Sequence, residues 1–392
     1  MPYLNRVRVT ALASIAVLGV TAGCGDDQPT DPDAAAPPAE SPEPFPLYAG
    51  MPEYVSYANV YAAAGPNLLS DTVRGHRELI YVPHNDSDDV YVIDPTTYEV
   101  IDQFAGGPEP QHVVPSYDLT TLYVASSRVP DGGLVPIDPT TGKPGDPIEI
   151  QDVYNLYFTP DGAHGIVVAE AYQRLDFYDA KTWQPVKSLE FPECDGINHM
   201  DYSADGRTML FSCEFANRLI ALDGETHEKI REFDLDQVAD GMPQDVRLTP
   251  DGKHFLVADM KAHGVYVFNA DATEQLTFIP TGKGAHSVYF SREGDIAYIA
   301  NRDEGTITLL DLATLAPADT WEIPGGGSPD MGGLNADGTV LWLSGRDHDE
   351  VYAFRTEDGE LLARIPVGSR PHGLAVWPQP GRYSLGHTGN IR

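Results

Sequence analysis

Apolar residues in this chain come in short runs, and the runs repeat. LIYVPHN (79–85), LYVASS (122–127), IVVAEA (166–171), LFSCEF (210–215), FLVADM (255–260), AYIANR (297–302) and LWLSGR (341–346) each combine an apolar core with a small or polar end. Their centres, Val82, Val124, Val167, Phe211, Val257, Ile299 and Leu343, recur about every 43 residues, the length of one propeller blade. A polar loop and a second stretch follow each run: VYVID (90–94), LVPID (134–138), LDFYD (175–179), LIALD (219–223), VYVFN (265–269), ITLLD (307–311) and VYAFR (351–355). Alternation of this kind reads as strand, because side chains of a strand point to opposite faces in turn. A third strand follows, such as VIDQF (100–104) or LLARIPV (361–367), and a fourth precedes the next run, as in VRLTPDG (246–252). Turns such as Asp161-Gly162, Asp205-Gly206, Asp251-Gly252 and Asp337-Gly338 separate the repeats, with glycine accepting the positive φ of a tight turn.

Four short strands per repeat make one blade. The innermost strand is present before six of the seven runs, because residues 46–78 hold no good version of it. RPHGLAVWP (370–378) supplies the missing one. The pattern therefore predicts an all-β chain, a seven-bladed β-propeller over 47–392 whose ring is closed by the C-terminal strand joining the first blade. The blades are expected at about 78–106 plus 370–378, 110–150, 153–191, 197–235, 243–280, 285–323 and 329–367. Residues 383–392 lie beyond this closure and receive no role from the repeat.

The first 24 residues differ in kind. Arg6 and Arg8 precede an apolar stretch from Val9 to Val20, shorter than the ~20 residues that span a bilayer. It ends in Thr21-Ala22-Gly23-Cys24, which resembles the lipobox of bacterial lipoproteins, and so implies a signal peptide over 1–24 and a lipid on Cys24. Residues 25–46, rich in Pro, Ala and Asp, read as a tether. The expected location is extracytoplasmic, on a membrane at the cell surface or in the periplasm. In an oxidising compartment the two remaining cysteines, Cys194 and Cys213, are a candidate disulfide. A net charge of −34 offers no cationic stripe to phosphate and argues against nucleic acid as a partner. A monomer is expected.

IYVPHNDSDDVYVIDPTTYEVIDQFAGGPEPQHV, AYIANRDEGTITLLDLATL and IPVGSRPHGLAVWP resemble the YVTN-type surface β-propeller repeat. That resemblance covers about residues 78–378 and implies the seven-bladed fold. It leaves the chemistry open, since related propellers include a lactonase-type group.

Ligands of propellers bind at the mouth of the central channel. Seven residues before each of the six turn acids, and at the matching place in RPHGLAVWP, lies one position per blade: Gln111, Tyr154, Asn198, Gln244, His286, Asp330 and His372, with neighbours His112, Asn155, His199 and Asp245. These are the expected ligand-binding residues of the channel rim. His112, His199, His286 and His372 are candidate metal ligands, because neutral imidazole suits zinc or copper. No HxH or HxxxH spacing supports them, and the competing reading has them capping strand ends in a polar channel. A second loop set carries acids, among them Asp88, Asp89, Glu170, Glu214 and Asp259, and is expected to be a solvated acidic rim rather than a calcium site. No GxSxG elbow or phosphate-binding glycine loop occurs, so the catalytic residues are unknown. The leading expectation is a binding scaffold for a small molecule or protein. A metal-dependent lactonase-type hydrolase and a metal-carrying or redox accessory protein are the alternatives, and a divalent metal is the cofactor to look for.

Overall fold

The alternating stretches pair as their spacing requires. In blade 1, Leu79–His84, Asp89–Asp94 and Glu99–Ala105 run antiparallel, and Ala375–Trp377 completes the sheet on the inner side. The closing register is Leu79↔Trp377, Ile80↔Val376 and Tyr81↔Ala375. Joining distant parts of the chain in one sheet removes the free edges that an open array would expose. The computed structural model describes residues 43–387 and 389–392; the expected signal peptide, Cys24 and most of the tether lie outside the described residues.

The remaining six sheets follow the expected order, five with four strands and blade 2 with five, its outer strand being split into Lys143–Pro144 and Ile148–Glu149. Burial falls outward across each blade. The run Leu79–His84 is wholly buried, whereas the outer strand Glu99–Ala105 is mostly exposed, Val100 and Ile101 included. The apolar faces meet between neighbouring blades: Leu79, Tyr81 and Trp377 of blade 1 pack with Val113, Val124 and Ile137 of blade 2. Cys194 and Cys213 form a disulfide within blade 4, both fully buried.

Two segments without a place in the repeat seal one end of the ring. The N-terminal segment crosses the face that carries the Asp-Gly turns. Tyr48 N–H donates to the Asp205 carbonyl (2.7 Å), Val60 to Pro250 (2.7 Å) and Asn67 to Ala336 (2.8 Å), turns of blades 4, 5 and 7. Its packing begins at Phe45, edge-on to Tyr57 at 5.0 Å, inside the stretch read as tether.

The C-terminal tail turns into the channel itself. Ser384 N–H donates to the Tyr117 carbonyl (2.9 Å), Phe158 N–H to Leu385 (3.0 Å), and His387 N–H to Leu156 (2.9 Å), so the tail pairs with the innermost strand of blade 3. It then doubles back, with Arg392 N–H on the Tyr383 carbonyl (2.9 Å). Gly386 is obligatory here: its φ is +97°, and a Cβ would lie 2.3 Å from the Tyr157 Cα.

Candidate functional site

The site is made by a defect repeated around the ring. The innermost strands break register at their first residues, between Pro110 and His112, Ile197 and Met200, Pro243 and Val246, Ala285 and Ser287, and Pro329 and Gly332. A bulge sets two residues against one and re-aims a side chain. This explains why candidates in two sequence registers converge: His112, His199 and Asp245 come from one position, and His286, Asp330 and His372 from its neighbour. Gly373 completes the seating, because a Cβ there would meet the His112 ring at 2.2 Å.

These residues are not a rim. Gln111, Tyr154 and Gln244 are buried, and His112, Asn155, Asn198, His199, Asp245, His286, Asp330 and His372 are inaccessible or nearly so. The strands start inside the ring, and side chains from the second loop set reach over them. Asn198 Nδ2 donates to Glu214 Oε2 (2.5 Å) and Glu170 Oε1 (3.4 Å). Asp330 Oδ1 accepts from Arg302 Nη2 (2.5 Å) and Nε (3.1 Å). The second loop set is therefore not uniformly a solvated rim. Asp88 pairs with Arg128 (2.8 Å), and buried Asp259 accepts the backbone N–H groups of Met242, Lys261 and Ala262.

Five imidazoles fill the channel in two groups. His286 Nδ1 lies 2.9 Å from Asp330 Oδ1, and His372 Nε2 lies 3.7 Å from Asp330 Oδ2. The other group joins His112 and His199 to His387 of the tail, with ring centroids 4.7–5.5 Å apart. His112 and His372 link the groups at 4.7 Å. His387 escapes the sequence reading because it has no counterpart in the repeat. The signal available is local: Gly386 and Gly389 bracket the His387-Thr388 pair, and Tyr383 and Leu385 alternate ahead of it.

Burial keeps these rings neutral. It lowers His112 to about 3, helped by His387 nearby, and holds His199, His372 and His387 well below the ordinary imidazole value. Burial alone would raise Asp330, but the Arg302 guanidinium outweighs it and holds the carboxyl well below the usual range. Glu170 and Glu214 are pushed up by burial, Glu170 also by the charge of Glu214. Arg346 completes the mouth of the channel, with Nη1 buried and lacking a hydrogen-bond partner among the described residues.

Beside this mouth, Asp152 is buried in the loop entering blade 3, where Oδ2 accepts from Tyr172 N–H (3.3 Å). Burial pushes its carboxyl up to about 6. A folded value above the unfolded one means that ionised Asp152 costs stability above pH 6, a cost relieved as pH falls toward 4. We expect Asp152→Asn to be more stable than the wild type by about 2 kcal/mol at pH 8 and no more stable at pH 4. Denaturant unfolding at both pH values checks this; an equal difference at both would remove the carboxylate as its cause.

The seven-sheet ring has counterparts among known proteins. The model of the YNCE-like beta-propeller family matches residues 75–380. The chain belongs to that family. Among curated proteins, this YNCE-like propeller is 22% identical to hydrazine synthase subunit beta of Kuenenia stuttgartiensis, over 40% of this chain and 52% of that one. The chain thus spans about half the length of the curated relative it matches. Among solved structures, a functionally unknown protein from Desulfotomaculum acetoxidans superposes with a TM-score of 0.64 at 18% identity, covering 76% of this chain and 98% of that one. Dihydro-heme d1 dehydrogenase NirN, in complex with DHE, superposes with a TM-score of 0.57 at 17% identity, covering 82% of each. At these identities the likeness is one of fold.

Proposed function

We propose that this propeller, of the YVTN repeat type, is an exported, lipid-anchored binding scaffold. It takes up a small polar ligand through a carboxylate or similar anionic group at the mouth of its channel. The observation that carries this reading is Arg346, whose Nη1 is buried without a hydrogen-bond partner among the described residues, close to Asp330, Arg302 and Tyr154. Burying an unpaired donor of a cation is costly, and an anionic ligand removes that cost. Arg302 is already committed to Asp330. The buried disulfide supports the exported reading, because cytosolic thiols are kept reduced.

The test is calorimetric titration of the full chain with small mono- and dicarboxylates and their neutral amides. Carboxylates should bind, and Arg346→Gln should weaken them about 10- to 100-fold, as loss of a charged hydrogen bond requires. Equal binding of acids and amides, or an indifferent Arg346→Gln, would overturn the ligand class. Replacing Cys24 with Ala should move the chain from the membrane to the soluble fraction; retention in the membrane would overturn the anchor.

A further inference from the structure

Below the mouth, three imidazoles from two blades and the tail converge, each offering one nitrogen, and the three nitrogens lie within 4.8 Å of one another. All three side chains are fully buried. His112 Nδ1–H donates to the Tyr154 carbonyl (2.9 Å), which fixes the tautomer and leaves a lone pair on Nε2. That Nε2, like Nε2 of His199, is buried without a hydrogen-bond partner among the described residues. Two unsatisfied ring nitrogens in one polar cluster require an occupant.

We propose that His112, His199 and His387 form a mononuclear site for a divalent transition metal of the zinc and copper class, with the C-terminal tail supplying the third ligand. With metal–imidazole bonds of about 2.1 Å, tetrahedral ligand nitrogens lie about 3.4 Å apart, so the three rings, now within 4.8 Å of one another, have to draw in by up to about 1.4 Å around the ion. The all-nitrogen donor set suits zinc or copper and disfavours calcium and magnesium. The neighbouring group is the poorer candidate. Asp330 there is already neutralised by Arg302, and a dication would be brought close to that guanidinium.

Asn155 is the positioning residue. Its amide lies 3.1 Å from His199 Nδ1 and 3.0 Å from His387 Nδ1, a single group controlling the tautomer of two rings. With the NH2 donating to both, their protons sit on Nε2. Turning the amide over gives up the bond its Oδ1 accepts from Leu156 N–H (2.9 Å) in exchange for accepting Nδ1–H from both rings, after which both Nε2 atoms are ligands alongside that of His112. Asp245 Oδ1, 3.4 Å from His387 Nε2 and without a hydrogen-bond partner among the described residues, supplies negative charge nearby.

The experiment uses the full chain, stripped with chelator and titrated with Zn2+ and, for its visible spectrum, Co2+. The site predicts one equivalent bound per chain and a Co2+ spectrum of tetrahedral nitrogen coordination. His387→Gln should weaken binding at least about 100-fold, while His286→Gln in the other group stays within about 3-fold. Asn155→Asp, an isosteric change that presents a permanent acceptor to both Nδ1–H groups, should tighten binding about 10-fold, within the range of outer-shell effects. Should His387→Gln fail to fold, Asn155→Asp decides alone: tighter binding supports the site, and unchanged or weaker binding overturns it. No uptake, as when an ordered water fills the cluster, also overturns it, as does uptake indifferent to His387→Gln. The carboxylate subsite at Arg346 is independent, since its failure leaves metal uptake untouched.

Discussion

Arg392→Ala is expected to lower the unfolding free energy by about 3–5 kcal/mol, the penalty for leaving a buried carboxylate without its cation. Arg392 and Asp201 are both fully buried, and Nη2 donates to Oδ1 at 3.0 Å. The pair is embedded in a network that cannot easily rearrange. Asp201 Oδ1 also accepts from Asn390 Nδ2 (2.8 Å) and Tyr202 N–H (2.7 Å), and Oδ2 accepts from Leu248 N–H (2.8 Å). The guanidinium lies 4.2 Å from the Tyr61 ring, so tail, inner strands and N-terminal segment meet at this one charge. If the loss comes from the orphaned carboxylate, adding Asp201→Asn to Arg392→Ala should recover part of it, because the uncompensated charge is then gone. Chemical denaturation of the two single variants and the double variant measures the coupling. A single variant within about 1 kcal/mol of the wild type would show that the tail contributes little to the ring.

Removing the disulfide should have the next largest effect, about 3 kcal/mol. Cys194 and Cys213 are separated by 19 residues, and closing a loop of that size in the unfolded chain removes entropy worth about this much. Both sulfurs lie in an apolar cluster with Phe191, Ile197, Phe211 and Leu222, so replacing both with Ala adds a small loss of packing. Burial has a second effect: reductant reaches the bond only when blade 4 opens. We expect millimolar dithiothreitol to leave the native chain oxidised over the time in which it reduces the chain in denaturant, as thiol labelling would show. The Cys194→Ala, Cys213→Ala variant should melt several degrees lower. Equal melting temperatures would mean that the ring alone fixes this blade.

The ring is legible in the sequence because each blade repeats the same compromise, apolar runs that pack against neighbours, separated by turns that need glycine. Seven copies make the pattern self-averaging, so the number of blades and even the closing strand, which falls at Ala375–Trp377 within the expected 370–378, can be read from period alone. What the period cannot show is anything that occurs once. Tyr48, Val60 and Asn67 are held by the backbone of turns far along the chain, and such contacts leave no spacing in sequence. The tail is hidden for the same reason, although Tyr383, Leu385 and Ile391 behave as core residues. Counting back from the turn acids finds positions that line the channel but says nothing of their burial, which depends on Glu170, Glu214 and Arg302 reaching across from other blades. His387 shows the limit most clearly. It is a lone histidine in the sequence and part of a three-imidazole cluster in the fold.

The closing sheet has a consequence for how the protein is made. Leu79 waits for Trp377, about 300 residues later, and at roughly 5–20 residues per second the ribosome needs on the order of 15–60 s to deliver it. Until then blade 1 lacks its inner strand, and Arg392 must still follow to neutralise Asp201 inside the channel. Through most of synthesis the ring is therefore open and poorly sealed, its first and last blades held apart by a missing strand. The step that locks the structure cannot precede the emergence of residues 375–392, an order that suits the export proposed above, since a chain threaded through a membrane has to stay unfolded until then.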